Sequence, residues 1–136
     1  DYDEVCAAVR SILHYTPAAD FALYVVDNAS PDGCGQKLAA TDFGDARVTV
    51  IQLAENVGFG KGHNTVLPRL KSKYHFVLNP DILVEEDTLT GMCAWMDEHP
   101  DVVMATPQLY FPTGEKQNLC PMWPAWWRAR CRALSH

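Results

Sequence analysis

The sequence predicts an α/β domain in which a largely parallel sheet is covered by helices. Two observations lead to this prediction. Short, β-rich apolar segments alternate with helical segments along the chain, which is the order of a parallel sheet with crossover helices. The strand-like segments are also continuously apolar, which is typical of strands that are covered on both faces. A chain of 136 residues is long enough for one such domain.

Four helices are predicted from apolar spacing and from residues that favour helix ends. Residues 3–15 carry apolar side chains at helical spacing, and a Thr-Pro pair then ends the helix. A short helix is predicted over residues 36–40. Another covers residues 62–70 after a glycine loop, with a proline that shortens or kinks it. The last covers residues 85–98 and opens with three acidic residues, which favour the positive end of the helix dipole.

Each predicted strand is a short apolar run bounded by residues that favour turns. The four strands cover residues 21–26, 47–53, 74–78 and 101–106. Residues 108–111 are predicted to extend the fourth strand beyond a proline.

The composition is that of a globular protein and argues against some functional classes. The chain is 48% hydrophobic and carries a formal net charge of -6. A general nucleic-acid-binding protein needs a basic face to neutralise phosphates, so no nucleic-acid partner is expected. The five cysteines form no Cys-x-x-Cys pair, which favours reduced thiols in a cytosolic protein. No run of the sequence resembles a transmembrane helix or a signal peptide.

The chain divides into residues 1–120, the sheet domain, and residues 121–136, a tail that starts the next segment. The tail differs in composition, with three tryptophans followed by three arginines. The chain begins at Asp1 without a methionine, so we expect that the domain is partial and that an element has been cut away.

Polar residues directly follow three of the predicted strands. The clusters are DNAS at 27–30, NVGFG at 56–60 and NPD at 79–81. Ligands of parallel α/β sheets bind beyond the carboxyl ends of the strands, and those ends meet at one edge. The three clusters are therefore predicted to form one site.

Three glycines in the second cluster, at positions 58, 60 and 62, precede the predicted helix. They can bring backbone N–H groups close to an anion, and the alternative is a tight strand-to-helix turn without a ligand. The segment is not a P-loop, because no Gly-Lys-Ser/Thr follows at the required spacing. Nor is it a dinucleotide fingerprint, because His63 takes the place of the last glycine.

Two carboxylates at strand ends are candidate ligand-binding groups. Asp27 can accept a hydrogen bond from a nucleobase N–H or a ribose hydroxyl, while Asn28 caps the turn; the alternative is an Asx-turn. Asp81 is a candidate ligand of Mg²⁺ or Mn²⁺, which take oxygen ligands and often only one or two protein carboxylates. The alternative for Asp81 is a turn residue that caps a helix.

Together, the three clusters resemble the inverting glycosyltransferases of family 2, in particular their rhamnosyltransferase-like branch. The similar segments are VVDNASPDG at 25–33, NVGFGKGHN at 56–64 and LNPD at 78–81. The last is similar to the family's Asp-x-Asp motif, with Asn79 in place of the first acidic residue. The resemblance implies a GT-A, Rossmann-like fold, whose usual first strand does not precede Asp3 in this chain.

By this resemblance, Asp81 would bind the divalent cation, Mg²⁺ or Mn²⁺, that bridges the diphosphate of a nucleotide-sugar donor. A single carboxylate implies modest metal affinity in the absence of donor. The residues that would bind the nucleotide sugar are Asp27, Asn28, Asn56, Gly58, Phe59, Gly60, Gly62, Asn64 and Asn79.

The resemblance does not identify a catalytic base. In the family this base is a carboxylate well after the Asp-x-Asp motif, and no acidic residue after Asp81 lies in a recognisable motif. The three acids at 85–87 are instead predicted to begin a helix. We therefore expect the base to lie outside this chain.

The implied reaction is the inverting transfer of a sugar, with rhamnose as the candidate, from a UDP-, dTDP- or GDP-sugar to a hydroxyl acceptor. The acceptor would be a glycan or a lipid-linked sugar in polysaccharide biosynthesis. The protein would be cytoplasmic, with the 121–136 tail at the membrane face; the alternative for the tail is a solvated basic helix. Two other functions stay open, namely a sugar nucleotidyltransferase and a non-catalytic nucleotide-binding module that is inactive on its own.

Overall fold

The structure, a computed structural model, describes residues 1–117 as two compact units. The first unit is Asp1–Glu86, and the second begins at Asp87. The predicted tail at 121–136 lies outside the described residues. The helices are Tyr2–Tyr15 (α1), Cys34–Ala40 (α2), Phe59–Asn64 (α3) and Thr88–Glu98 (α4). The strands are Leu23–Asp27 (β1), Val48–Gln52 (β2), Leu109–Tyr110 (β3) and Lys116–Gln117 (β4).

Helix α1 forms where the sequence predicts it. The Asp1 carboxylate accepts a hydrogen bond from the Asp3 N–H at 2.9 Å and so caps the first turn. At the other end, the Thr16 hydroxyl donates to the Ile12 carbonyl at 2.6 Å. The buried face recurs every three to four residues and consists of Cys6, Ala8, Val9 and Ile12.

Strands β1 and β2 form a parallel pair, and α2 is the helix of the crossover between them. The register places Val25 opposite Val50 and Asp27 opposite Gln52. Both valines pack against a buried cluster of Cys6, Cys34 and Leu38, which joins α1 and α2 to the sheet. A parallel pair flanked by helices confirms the predicted α/β class. It also brings the residues that follow β1 and β2 to the same edge.

The predicted helix over residues 62–70 is wrong in its bounds. Helix α3 begins earlier, at Phe59, and ends at Asn64; a 3₁₀ turn at Leu67–Arg69 follows. Pro68 lies in this turn, where its missing N–H is tolerated. Within a longer helix the same proline would remove a hydrogen bond and clash with the preceding turn, so the helix is split.

The predicted third strand, over residues 74–78, does not form a ladder in the described part of the chain. Tyr74, Phe76 and Leu78 are half-buried, whereas His75 and Val77 are exposed, which is the alternation of an extended segment. The sheet of the first unit nevertheless contains β1 and β2 alone among residues 1–117. The apolar sequence therefore produces an alternating burial pattern here but not a paired strand.

The second unit begins with α4, which is capped as its acidic start predicts. The Asp87 carboxylate accepts from the Thr90 N–H at 3.3 Å. At the end of the helix, the rings of Trp95 and His99 stack with their centroids 3.9 Å apart. No helix within residues 1–117 is both long and apolar enough to cross a membrane.

The predicted fourth strand, over residues 101–106, is also wrong. The Val102 N–H instead bonds back to the His99 carbonyl at 2.9 Å, and Val103 is 96% exposed. Only the proposed extension at 108–111 contains a strand, β3, and it pairs antiparallel with β4. Gly114 turns this hairpin with a φ of +82°, a conformation that favours glycine.

Candidate functional site

The first two polar clusters meet at the carboxyl ends of β1 and β2. The Asn28 side chain bridges them: its Nδ2 donates to Asn56 Oδ1 at 3.1 Å, and its Oδ1 accepts from the Val57 N–H at 3.0 Å. Parallel pairing of β1 with β2 makes this contact possible, because the two clusters follow neighbouring strands. The convergence that the sequence predicts for these two clusters is therefore present.

The 56–58 loop is held in a conformation that requires glycine. Asn56 Oδ1 accepts a second hydrogen bond, from the Gly58 N–H at 2.9 Å. Gly58 has φ and ψ values of 83° and 163°, a region that is essentially confined to glycine. Its carbonyl then accepts from the Gly62 N–H at 2.9 Å, which begins the hydrogen bonds of α3. Gly60 and Asn64 lie exposed on the same short helix.

Asp27 ends β1 with a carboxylate that is turned toward the protein. The residue is 9% exposed, and its carboxylate oxygens accept long hydrogen bonds from the Ser30 N–H, at 3.3 and 3.4 Å. Ala29, within this turn, has a φ of +59°. The carboxylate thus bonds within its own turn, to an N–H three residues on rather than the two of the Asx-turn offered as an alternative. The contact with a nucleobase stays a prediction.

Gly35 in the first turn of α2 lies directly against this carboxylate. A Cβ atom added at Gly35 would be 2.5 Å from Asp27 Cγ and still closer to Oδ2. Only a residue without a side chain allows the carboxylate to occupy this position. Gly35 is not among the site residues predicted from the sequence. It lies just before the helix predicted at 36–40, and no local pattern indicates its approach to Asp27.

The neighbouring thiol of Cys34 is not suited to act as a nucleophile. Burial raises the pKa of this thiol, and the nearby Asp32 carboxylate raises it further. The Asp32 carboxylate also accepts from the Cys34 N–H at 3.0 Å. The thiol is therefore protonated at neutral pH, and its role is to pack in the core with Cys6 and Leu38.

Asn79 and Asp81 of the third cluster are both exposed. No hydrogen bond found within residues 1–117 joins either of them to the other two clusters. Across the same residues, no group of three His, Cys, Asp or Glu side chains is arranged to hold a metal ion. The segment that follows is anchored, because the Val84 N–H donates to the Ser11 hydroxyl at 3.1 Å and Val84 is buried.

Comparison with families of known proteins finds a match that covers nearly the whole chain. The sequence profile described as Glycosyl transferase family 2 matches residues 2–134. The chain belongs to glycosyl transferase family 2. Comparison with curated proteins and with solved structures gave no match.

Membership of family 2 confirms the GT-A, Rossmann-like fold class that the sequence predicted. It also means that the protein is a glycosyltransferase in the general sense of the family, whose members use nucleotide-sugar donors, generally with divalent cations.

One aromatic side chain faces solvent beside the joined clusters. Phe59 is 67% exposed, and its ring meets the ring of His63 edge-on, with centroids 4.4 Å apart. Phe59 is among the donor-binding residues predicted from the sequence, whereas His63 is not. Both rings are placed by α3 and remain accessible to a ligand.

Proposed function

We propose that this family 2 protein is an inverting glycosyltransferase that moves a sugar from a nucleotide-diphosphate donor to a hydroxyl acceptor in glycan or polysaccharide biosynthesis. The single observation that carries the proposal is the contact of Asn28 with Asn56 and Val57. This contact builds a polar surface beyond the carboxyl ends of two parallel strands, where ligands of such sheets bind. Rhamnose is the candidate sugar, from the likeness of the sequence to the rhamnosyltransferase-like branch.

Asp27 is the proposed contact for the base of a UDP, dTDP or GDP donor. Its carboxylate has unused acceptor capacity, because its hydrogen bonds to the Ser30 N–H are at or beyond 3.3 Å. Since the residue is 9% exposed, the base would have to approach along the 27–30 turn. Asn56, Gly58, Phe59, Gly60, Gly62, Asn64 and Asn79 complete the proposed donor surface.

Asp81 is the proposed protein ligand of a divalent cation, Mg²⁺ or Mn²⁺. Its exposed carboxylate supplies the hard oxygen donor that such ions prefer. A single protein carboxylate fits an ion whose other ligands are a diphosphate and water molecules. It does not fit an ion that is enclosed by protein ligands alone. When bound, the cation would neutralise charge that develops on the leaving diphosphate.

We further propose that the protein acts in the cytoplasm, at the face of a membrane that carries a lipid-linked acceptor. Two features of the sequence support this. Cysteines without paired spacing suit a reducing compartment. The tryptophans and arginines within 121–136 suit contact with an anionic lipid surface.

Nucleotide titration tests the proposed donor site. We expect UDP, dTDP or GDP to bind in isothermal calorimetry, and to bind more tightly with Mn²⁺ than with EDTA. Asp81→Ala should remove this Mn²⁺ dependence, weakening binding in Mn²⁺ by roughly tenfold to a hundredfold, since a charged contact is lost. Glu85→Ala is the matched control, because it removes another exposed carboxylate four positions away.

Three outcomes would contradict the proposal. If none of the nucleotides binds in either condition, the donor site is wrong. Mn²⁺ dependence that persists in Asp81→Ala removes Asp81 from the metal site. Nucleotide binding without donor hydrolysis or sugar transfer would favour the non-catalytic binding module.

A further inference from the structure

We propose that Asn28 is a positioning residue of the donor site, which sets the 56–58 loop and through it the start of α3. The inference rests on the proposed function for the nature of the donor. It concerns a role that differs from direct contact with the nucleotide sugar. The pair of side-chain amides formed by Asn28 and Asn56 is called the amide clasp below.

The orientations of both amides in the clasp are fixed by backbone donors. The Val57 N–H points at Asn28, so the oxygen of that amide must face Val57, and the Nδ2 then faces Asn56. The Gly58 N–H points at Asn56, so the Asn56 oxygen must face both Gly58 and Asn28. Asn28 therefore donates and accepts, whereas Asn56 only accepts, twice through the same oxygen.

The clasp connects the end of β1 to the start of α3. Asn28 directly follows Asp27, whose backbone carbonyl is held by the Leu53 N–H at 2.9 Å. On the other side, the clasp fixes Gly58, whose carbonyl begins the hydrogen bonds of α3. Gly62 in α3 also packs on Asn28, since a Cβ added there would lie 3.7 Å from the Asn28 amide. A displacement of the Asn28 side chain would therefore move both the 56–58 loop and the start of α3.

The unequal roles of the two amides give a sharp test. Asn28→Asp and Asn56→Asp each replace an amide by a carboxylate and add one negative charge. The two positions are neighbours, since their side chains are hydrogen-bonded to each other. The carboxylate of Asn56→Asp can still accept from both Asn28 Nδ2 and the Gly58 N–H. The carboxylate of Asn28→Asp can still accept from the Val57 N–H, but it cannot donate to Asn56 and repels its oxygen.

Two measurements on the purified protein compare the variants. In amide hydrogen exchange followed by NMR, Gly58 should exchange about threefold to tenfold faster in Asn28→Asp than in Asn56→Asp, as expected for one lost hydrogen bond. In calorimetry with UDP, dTDP and GDP in Mn²⁺, Asn28→Asp should bind about threefold to tenfold more weakly than Asn56→Asp. Amides of β1 and β2 should stay protected in both variants, which shows that the fold is intact.

Equal effects of the two substitutions on Gly58 exchange overturn the clasp. Faster exchange in Asn28→Asp without weaker nucleotide binding overturns the positioning role. If Asn28→Asp does not fold, Asn28→Ala is compared with Asn56→Asp: the alanine removes the donor to Asn56 without adding charge, and Gly58 should again exchange faster than in Asn56→Asp. If the unmodified protein binds no nucleotide, the proposed function fails, while the exchange of Gly58 still decides whether Asn28 sets the loop.

Discussion

The carboxylate of Asp27 and the backbone of Gly35 occupy neighbouring positions that leave no room for a side chain. An added Cβ would lie 2.5 Å from Asp27 Cγ and 3.0 Å from Asp27 Cβ. Real Cβ contacts are not this short, so any larger residue at 35 must move the carboxylate or the helix. The proposed base contact thus depends on a glycine that need not touch the ligand.

Gly35→Ala should therefore lower both stability and nucleotide affinity. We expect a loss of about 1–3 kcal/mol in the free energy of unfolding, the usual cost of overpacking, measured by urea denaturation. Gly91→Ala is the control, because Gly91 lies within α4 with no atom within 4 Å of an added Cβ. That change should stabilise the protein by about 0.5–1 kcal/mol. If both variants respond alike, the close approach of Gly35 to Asp27 is not significant.

At the scale of elements, the Arg47 side chain, which also forms an ion pair with Asp45, ties the connection before β1 to the start of β2. Arg47 donates through Nε to Asp45 Oδ1 at 2.9 Å and through Nη2 to Asp45 Oδ2 at 2.6 Å. Its Nη1 donates to the Ala19 carbonyl at 3.0 Å, and its guanidinium lies 4.3 Å from the centre of the Phe21 ring. One side chain thereby holds the segment that enters β1.

This pair predicts a specific dependence of stability on acid. The side-chain hydrogen bond from Arg47 lowers the pKa of Asp45 to about 2. A lowered pKa means that the pair stabilises the fold above about pH 4, and that this contribution is lost as the pH falls through about 2. We expect the urea midpoints of Asp45→Asn and the unmodified protein to differ at pH 5 and to converge toward pH 2. Arg47→Lys keeps the positive charge but loses the bidentate geometry. In an Arg47→Lys background, Asp45→Asn should therefore lower the urea midpoint at pH 5 by less than it does in the unmodified protein. A difference that stays constant from pH 5 to pH 2 would contradict this prediction.

The elements also show which parts of the fold the sequence can predict. Helix α1 was predicted because its burial spacing and end residues are local properties of the chain. The segments at 74–78 and 101–106 were predicted as strands because they are short apolar runs, as β1 and β2 are, and both predictions were wrong. A strand needs a partner with free hydrogen-bonding groups, and a run of residues does not say where that partner is.

The candidate site divides in the same way. The meeting of the clusters at 27–30 and 56–60 was predictable, because β1 and β2 are consecutive parallel strands. The roles of Gly35 and of the Val57 N–H were not predictable. Each depends on a backbone group that the fold brings close to a side chain distant in sequence, Asp27 or Asn28. The place of Asp81 relative to these clusters stays a prediction.

At the scale of the whole molecule, the charge of the chain bears on how a donor can bind. The formal net charge is -6, and a nucleotide diphosphate is also an anion. Long-range electrostatic attraction therefore does not favour the complex of the protein with a nucleotide diphosphate. Binding must come from local contacts and from a cation. This is why the Mn²⁺ dependence at Asp81 is the most informative property to measure first.

The division of the chain into two units predicts where a protease acts first. Glu85 and Glu86 are exposed and lie at the boundary between the two units. Val84 before them is anchored to α1 through Ser11, and Asp87 after them caps α4. A Glu-specific protease should cut there before the other four glutamates, which lie in α1, before the amide clasp, at the end of α4 and in the hairpin. Brief digestion followed by mass spectrometry should give fragments that end at residue 85 or 86. A first cut at Glu55 would mean instead that the clasp does not hold its loop, and would contradict both the unit boundary and the positioning role of Asn28.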